Sequence, residues 1–308
     1  MIKPPVIIEI NRVKTKKQGE LMPLAYHPTP VDGRIVELNN ELRILVTLKQ
    51  FGHLRKSEIA TAVWPNSTPQ SAYIMASRAV NKMVQKGYLI KKINTLGGQS
   101  FVLGAKGVSK LKEHEIFTQE GYDLAFDGPQ FFHRTLGTCY LLEKSRTGNE
   151  VFGEYSILKN WGPVSKDYLK DRFKKIPDGM ITYTKGSFGY SSEIRPSDWV
   201  EVESAYKPYD ELKKALDLLK TGTSLDAEGR VILHKLVFVY DCRQEHENRI
   251  LRGIKKFLRE NPQLDAEQTL QEIVFASCFI DPPFVWRGVV EKSGLDVLKS
   301  KSNIGEDE

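Results

Sequence analysis

Residues 174–214 read KKIPDGMITYTKGSFGYSSEIRPSDWVEVESAYKPYDELKK. Residues 180–184 are β-prone and run into a Gly-containing tip at 185–189, so they read as the first arm of a β-hairpin. Residues 199–204 read as the returning strand. Strand side chains alternate between faces, so Trp199, Glu201 and Glu203 share one face and Val200, Val202 and Ser204 the other. Asp178, between Pro177 and Gly179, stands at the mouth of the first arm, and Lys207 precedes a helix expected over 209–220. Carboxylates on adjoining strands beside a lysine supply hard oxygen donors for a divalent ion and a cation for charge developing on a phosphate. A sheet with one charged, wetted face has the same pattern.

The chain has 308 residues, enough for two domains, and 40% of them are hydrophobic, enough for real cores. Its net charge of +6 favours a polyanionic partner. Cys139, Cys242 and Cys278 are odd in number and widely spaced, which argues against a zinc site or a disulfide framework and fits a reducing compartment. No stretch reaches the apolar length of a membrane span and residues 1–17 lack a signal-peptide core. The expectation is a cytoplasmic protein with no membrane partner.

Residues 1–33 read as an N-terminal arm or linker, with one short β-prone run at 6–10. Over 34–115 the pattern turns to compact helices: 38–50, Lys56–Val63 and a third over 69–86. Pro69 suits the first turn of that third helix and Gly87 its C-terminal end. Ala72, Met75, Ala76, Ala79, Val80, Met83 and Val84 form its apolar stripe. Strands follow at 88–93 and 100–103, around Gly97 and Gly98. Three helices and a two-stranded ribbon are the order of a winged helix-turn-helix, in which the third helix enters the DNA major groove. Tyr73, Ser77, Arg78, Asn81, Lys82 and Gln85 would then meet base edges or phosphates, and Lys91, Lys92 and Asn94 of the ribbon the backbone. Such modules also bind proteins, and exposed basic helix faces are often plain solvation.

A basic helix at 106–112 and a Gly/Asp-rich connector lead to a second domain over 129–298, followed by a tail at 299–308 expected to be disordered. The second domain reads as a helix at 132–144, a strand at 150–158, the hairpin, its helix, a doubly buried strand at 231–240, a basic helix His246–Glu260 and a last strand at 273–280. The overall class is α/β, or α+β across the whole chain: an N-terminal winged helix-turn-helix and a mixed-sheet α/β domain.

That order, with Ile-Pro-Asp-Gly around Asp178 and Val-Glu-Val-Glu ending at Glu203, resembles the restriction-endonuclease-like PD-(D/E)XK core. The family's lysine normally follows the second acid by two residues, but those positions here hold Glu203 or Ala205, and Lys207 is the nearest candidate. Together with the N-terminal helices and the segment Phe132-His133-Arg134-Thr135-Leu136, the chain resembles the MobC-type plasmid mobilisation proteins, also grouped as the replication-relaxation family. The resemblance implies a relaxosome protein, a relaxase-like endonuclease that binds origin-of-transfer plasmid DNA, alongside other relaxosome proteins, and nicks one strand. It implies Mg²⁺ or Mn²⁺ on Asp178, Glu201 and Glu203, with Lys207 completing the catalytic set. Carboxylates so close should leave at least one with a raised pKa when no metal is bound. Glu143 and His133 are further candidates near the phosphate, and Tyr183, Tyr190 and Tyr206 stay open as nucleophiles.

A second class of reading competes. In it the protein is a non-catalytic DNA-binding accessory factor or regulator with a degenerate nuclease-like domain. Clustering of the three carboxylates around one ion would favour the enzyme, and pairing of each with Lys or Arg the binding protein.

Overall fold

The computed structural model describes residues 32–95, 98–220, 224–281 and 285–302. The arm expected over 1–33 lies outside these but for its last two residues, as do the β-prone run at 6–10, Gly97 and residues 303–308.

The chain opens with α1 (Gly33–Phe51), α2 (Lys56–Val63) and α3 (Pro69–Gln85), followed by an antiparallel ribbon of β1 (Leu89–Ile93) and β2 (Gln99–Leu103). Thr68 caps α3 by accepting the Ser71 amide, and Pro69 occupies a first-turn position where its missing N–H costs no bond. At the other end the Gly87 amide donates to Val84 O and that of Tyr88 to Met83 O. This pair of bonds turns the chain through a residue at φ +75°, which suits glycine. Ala72, Ala76, Val80 and Met83 are buried on one face of α3, as their spacing predicts. Asn94, expected on the DNA side of the ribbon, is instead buried, and its side chain accepts the Gly98 amide to close the turn.

After α4 (Ala105–Glu113) and a short turn of helix at Leu124–Phe126 comes α5 (Gln130–Ser145). A six-stranded mixed sheet follows, ordered β3 (Glu150–Gly153), β4 (Gly179–Thr182), β5 (Arg195–Glu203), β6 (Val231–Asp241), β7 (Ile273–Asp281) and β8 (Val285–Ser293). The β5–β6 and β6–β7 pairs are parallel and the others antiparallel. The helices α6 (Glu154–Leu158) and α7 (Lys166–Phe173) separate β3 from β4. The parallel strands are joined through α8 (Tyr209–Leu216), and through α9 (His246–Glu260) with α10 (Ala266–Gln271); α11 (Gly294–Ser302) closes the fold.

The structure is therefore a mixed α/β fold. Alternation along the central strands divides its apolar side chains into two cores. Trp199, Leu236, Phe238, Tyr240 and Phe275 join the cluster that includes α8 and α9. Val200, Val202, Val237 and Val239 join Leu136, Tyr140 and Leu141 of α5, in a cluster that continues into α1, α2 and α3. The N-terminal helices and the sheet thus share one apolar core. Burial on both faces explains the nearly unbroken apolar run of β6, fourth of the six strands.

Three further expectations change. Residues 150–158 are not one strand: β3 ends at Gly153 and Glu154 begins α6. The strand at 273–280 is not the last, because β8 pairs beyond it at the sheet edge, where most of its side chains are exposed or half-buried and carry no apolar periodicity. Lys299–Ser302, read as part of a disordered tail, belongs to α11. Cys139 and Cys278 are buried and Cys242 half-buried, all as free thiols. Among the described residues no helix is long and apolar enough to cross a membrane.

Candidate functional site

The first arm of the hairpin ends early. β4 begins only at Gly179, opposite Val200, so the Val202 amide on β5 lies beyond its backbone partner strand. Asp178 fills the gap, its Oδ2 accepting from Val202 N at 2.8 Å. Its other oxygen, Oδ1, lies 3.0 Å from His133 Nε2, on the first turn of α5. The second ring nitrogen, His133 Nδ1, lies 3.0 Å from Ser204 Oγ. Alternation had placed Ser204 on the face of Val200 and Val202, and this is the face α5 covers. Burial works against ionisation of Asp178, but the His133 contact, the Lys207 charge and the Val202 amide hold the carboxyl down at about 2.

His133 and Asp178 line a small open cleft whose other walls include Asp123, Arg134, Glu154 and Val202. Arg134 Nε lies 3.0 Å from Asp123 Oδ2, and the same guanidinium pairs with Glu154. The Glu154 amide donates to Asp178 O at 3.0 Å, which holds the two acidic residues side by side. His133, Glu154 and Asp178 each offer a ligand atom within 4.8 Å of the others, the one such group of three among the described residues.

Glu201 and Glu203 go elsewhere. Both project from the Trp199 face of β5, toward the core that α8 and α9 cover, and are only 1% and 2% exposed. Glu201 Oε1 accepts the Trp199 indole N–H at 2.6 Å, and Oε2 lies 2.9 Å from Lys175 Nζ. Glu203 is held by Lys207, whose Nζ lies 3.0 Å from Oε1, and by Arg249 of α9. Lys207 also donates to Val202 O at 3.0 Å. Thus the four residues expected to form one catalytic set divide between two environments. Asp178 faces the cleft, while Glu201 and the Glu203–Lys207 pair are buried with separate cations. Burial, then the charge of Asp178, pushes the Glu201 carboxyl up to about 7, so one carboxyl is raised, chiefly by burial rather than by the mutual repulsion expected of a single cluster.

The remaining candidates disperse. Glu143 pairs with Arg146 on the surface of α5. Tyr183 donates to Asp198 Oδ2 at 2.6 Å, and Asp198 Oδ1 lies 3.0 Å from His234 Nδ1. Burial and the Asp198 charge push the Tyr183 phenol up, which keeps it protonated. Tyr206 is 80% exposed and lies over the Arg249 guanidinium. On the N-terminal helices, Tyr73, Arg78, Asn81, Lys82 and Gln85 are exposed along one side of α3, while Ser77 is half-buried and accepts from Lys56 Nζ. Lys82 pairs with Glu37 of α1. Lys91 is exposed, and Lys92 lies over the rings of Tyr122 and Phe126.

Sequence reasoning passed over Glu154 and Lys175. Glu154 sat inside an expected strand, and nothing in the spacing from 154 to 178 signals that their backbones bond. Lys175 lies three residues before Asp178 in sequence, but its partner Glu201 lies on β5.

No family model, curated protein or solved structure matches the chain.

Proposed function

We propose that the chain is a DNA-binding protein of the plasmid-mobilisation kind, its first three helices and ribbon acting as a winged helix-turn-helix on double-stranded origin-of-transfer DNA. The observation that carries this reading is α3. One face packs Ala72, Ala76, Val80 and Met83 into the core, and the other leaves Tyr73, Arg78, Asn81, Lys82 and Gln85 free of burial along the helix. Arginine and asparagine match the major-groove edges of guanine and adenine, and lysine neutralises phosphate. The net charge of +6 has the sign such a partner needs.

In this reading the α/β domain is a restriction-endonuclease-like scaffold that serves as an accessory to cleavage by other relaxosome proteins in the cytoplasm. The buried pairing of Glu201 with Lys175 and of Glu203 with Lys207 and Arg249 supports it, because carboxylates shut beneath α8 and α9 are out of reach of a DNA phosphate. Metal-dependent nicking is the second reading. It is favoured by Asp178, which stands in a cleft beside His133 and Glu154.

One assay tests the DNA binding that both readings need, and a second separates them. Fluorescence anisotropy on duplex DNA should show binding that weakens at least tenfold in the double variant Arg78→Ala, Asn81→Ala; equal binding by both proteins would sink the DNA reading. Supercoiled origin plasmid incubated with Mg²⁺ or Mn²⁺ should stay closed with the wild type. Conversion to open circles by the wild type and not by Asp178→Ala would establish the enzyme.

A further inference from the structure

Asp178, Glu201 and Glu203 do not fit one ion. Glu201 and Glu203 face the core beneath α8 and α9, each already neutralised by its own cations, while Asp178 turns to α5. The donors gathered around Asp178 are different ones, His133 and Glu154. We infer that His133, Glu154 and Asp178 form a binding site for a first-row transition-metal dication, with Mn²⁺ and Zn²⁺ as its fitting occupants.

The three ligand atoms lie within 4.8 Å of one another, with His133 Nε2 only 3.0 Å from Asp178 Oδ1. An ion bonded at about 2.0–2.2 Å to each donor sets donor-to-donor gaps of about 3 to 4 Å, so modest side-chain adjustment closes the set. Metal ligands are oriented by partners on their far sides, and each of these three has one. Ser204 Oγ can accept from His133 Nδ1–H and so hold the ring in place when an ion replaces the Nε2 proton that Asp178 Oδ1 accepts. The Val202 amide holds Asp178 Oδ2. Arg134 holds Glu154 and is itself held by Asp123. The backbone bond from Glu154 N to Asp178 O locks the two carboxylate-bearing segments together.

Donor chemistry selects the ion. One imidazole nitrogen and two carboxylates suit manganese or zinc, whereas Mg²⁺ prefers an all-oxygen shell. Three protein donors leave positions open toward the cleft, as in centres that take water or a phosphate oxygen. The inference concerns the ion, and it stands apart from both the DNA-binding and the nicking readings.

The test uses the full chain, stripped with EDTA and titrated with MnCl₂ while free Mn²⁺ is followed by its electron paramagnetic resonance signal, then with ZnCl₂ by calorimetry. One ion per chain is expected, weakened at least tenfold in His133→Gln and in Glu154→Gln, and unchanged in Glu201→Gln. MgCl₂ at the same concentration should compete poorly. Circular dichroism establishes that each variant is folded, and the two ligand variants lie on different elements, so loss of one fold leaves the other to report. Absence of stoichiometric binding by the wild type overturns the inference. So does binding insensitive to both ligand variants, or abolished by Glu201→Gln. A DNA-binding defect in the α3 variant has no bearing on this titration, so the two readings fail separately.

Discussion

Lys175 Nζ lies 2.9 Å from Glu201 Oε2, on the face of the sheet where Glu201 is almost wholly buried. Two residues that sequence reading kept apart, one before β4 and one within β5, thus form an ion pair. Even so, burial and then the Asp178 charge raise the Glu201 carboxyl from 4.5 to about 7. A folded-state pKa above the unfolded one means that the folded protein holds the proton longer. The stability contributed is complete below the unfolded value and is lost as pH rises through the folded one. A separation of this size corresponds to about 3 kcal/mol, declining between about pH 4.5 and about pH 7. Urea unfolding across that range should show the decline in the wild type. Glu201→Gln, which keeps an acceptor for the Trp199 N–H, should flatten it; an unchanged slope would place the titration elsewhere.

Arg249 and Lys207 together neutralise Glu203, whose side chain is 3% exposed. Arg249 also donates to Ala205 O at 3.0 Å and so ties α9 to the end of β5. Removing one member of a buried ion pair costs about 3–5 kcal/mol when the remaining charge has no other partner, and because Lys207 stays on Glu203 the loss here is expected to be below about 3 kcal/mol. Arg249→Ala is expected to lower the urea midpoint accordingly, and the double variant with Glu203→Gln to recover part of the loss. No recovery would mean that the Ala205 contact and packing, rather than charge, dominate.

Gly107 in α4 gives a sharper packing test. A Cβ there would stand 2.3 Å from the Tyr88 carbonyl oxygen and 3.1 Å from Leu45 Cδ2. Alanine favours helix over glycine by about 1 kcal/mol, but a backbone carbonyl has little room to yield and overpacking costs about 1–3 kcal/mol. Gly107→Ala should therefore destabilise the protein. A gain in thermal midpoint would show that α4 can slide away from the ribbon.

The α3 face carries the prediction about salt. Each lysine or arginine that neutralises a phosphate adds roughly one to the slope of log affinity against log salt. Lys82 is half-exposed and paired with Glu37, while Arg78 is exposed. Arg78→Ala and Glu37→Gln should then move DNA affinity in opposite directions, the first weakening it and the second freeing Lys82 to strengthen it. Parallel changes would show that α3 is not the contact surface.

Sequence alone determined several of the local elements and their inward faces. The Lys56–Val63 and His246–Glu260 helices, the α3 stripe and the left-handed Gly87 follow from spacing and capping chemistry that act over a few residues. Alternation along β5 also separated Glu201 and Glu203 from Val202 and Ser204, because strand geometry leaves no other choice. Only tertiary structure decided what lay over each face. It brought α5 onto the Ser204 side, delivering His133 to Asp178 from 45 residues away, and folded α8 and α9 over the acidic side, where Lys207 and Arg249 meet Glu203. It also broke the expected strand at Gly153 so that Glu154 reached the Asp178 backbone. The physical reason is one of range. Backbone propensity and side-chain alternation are properties of neighbouring residues, whereas a carboxylate's role is set by the charges and donors that long-range packing brings within a few ångströms of it.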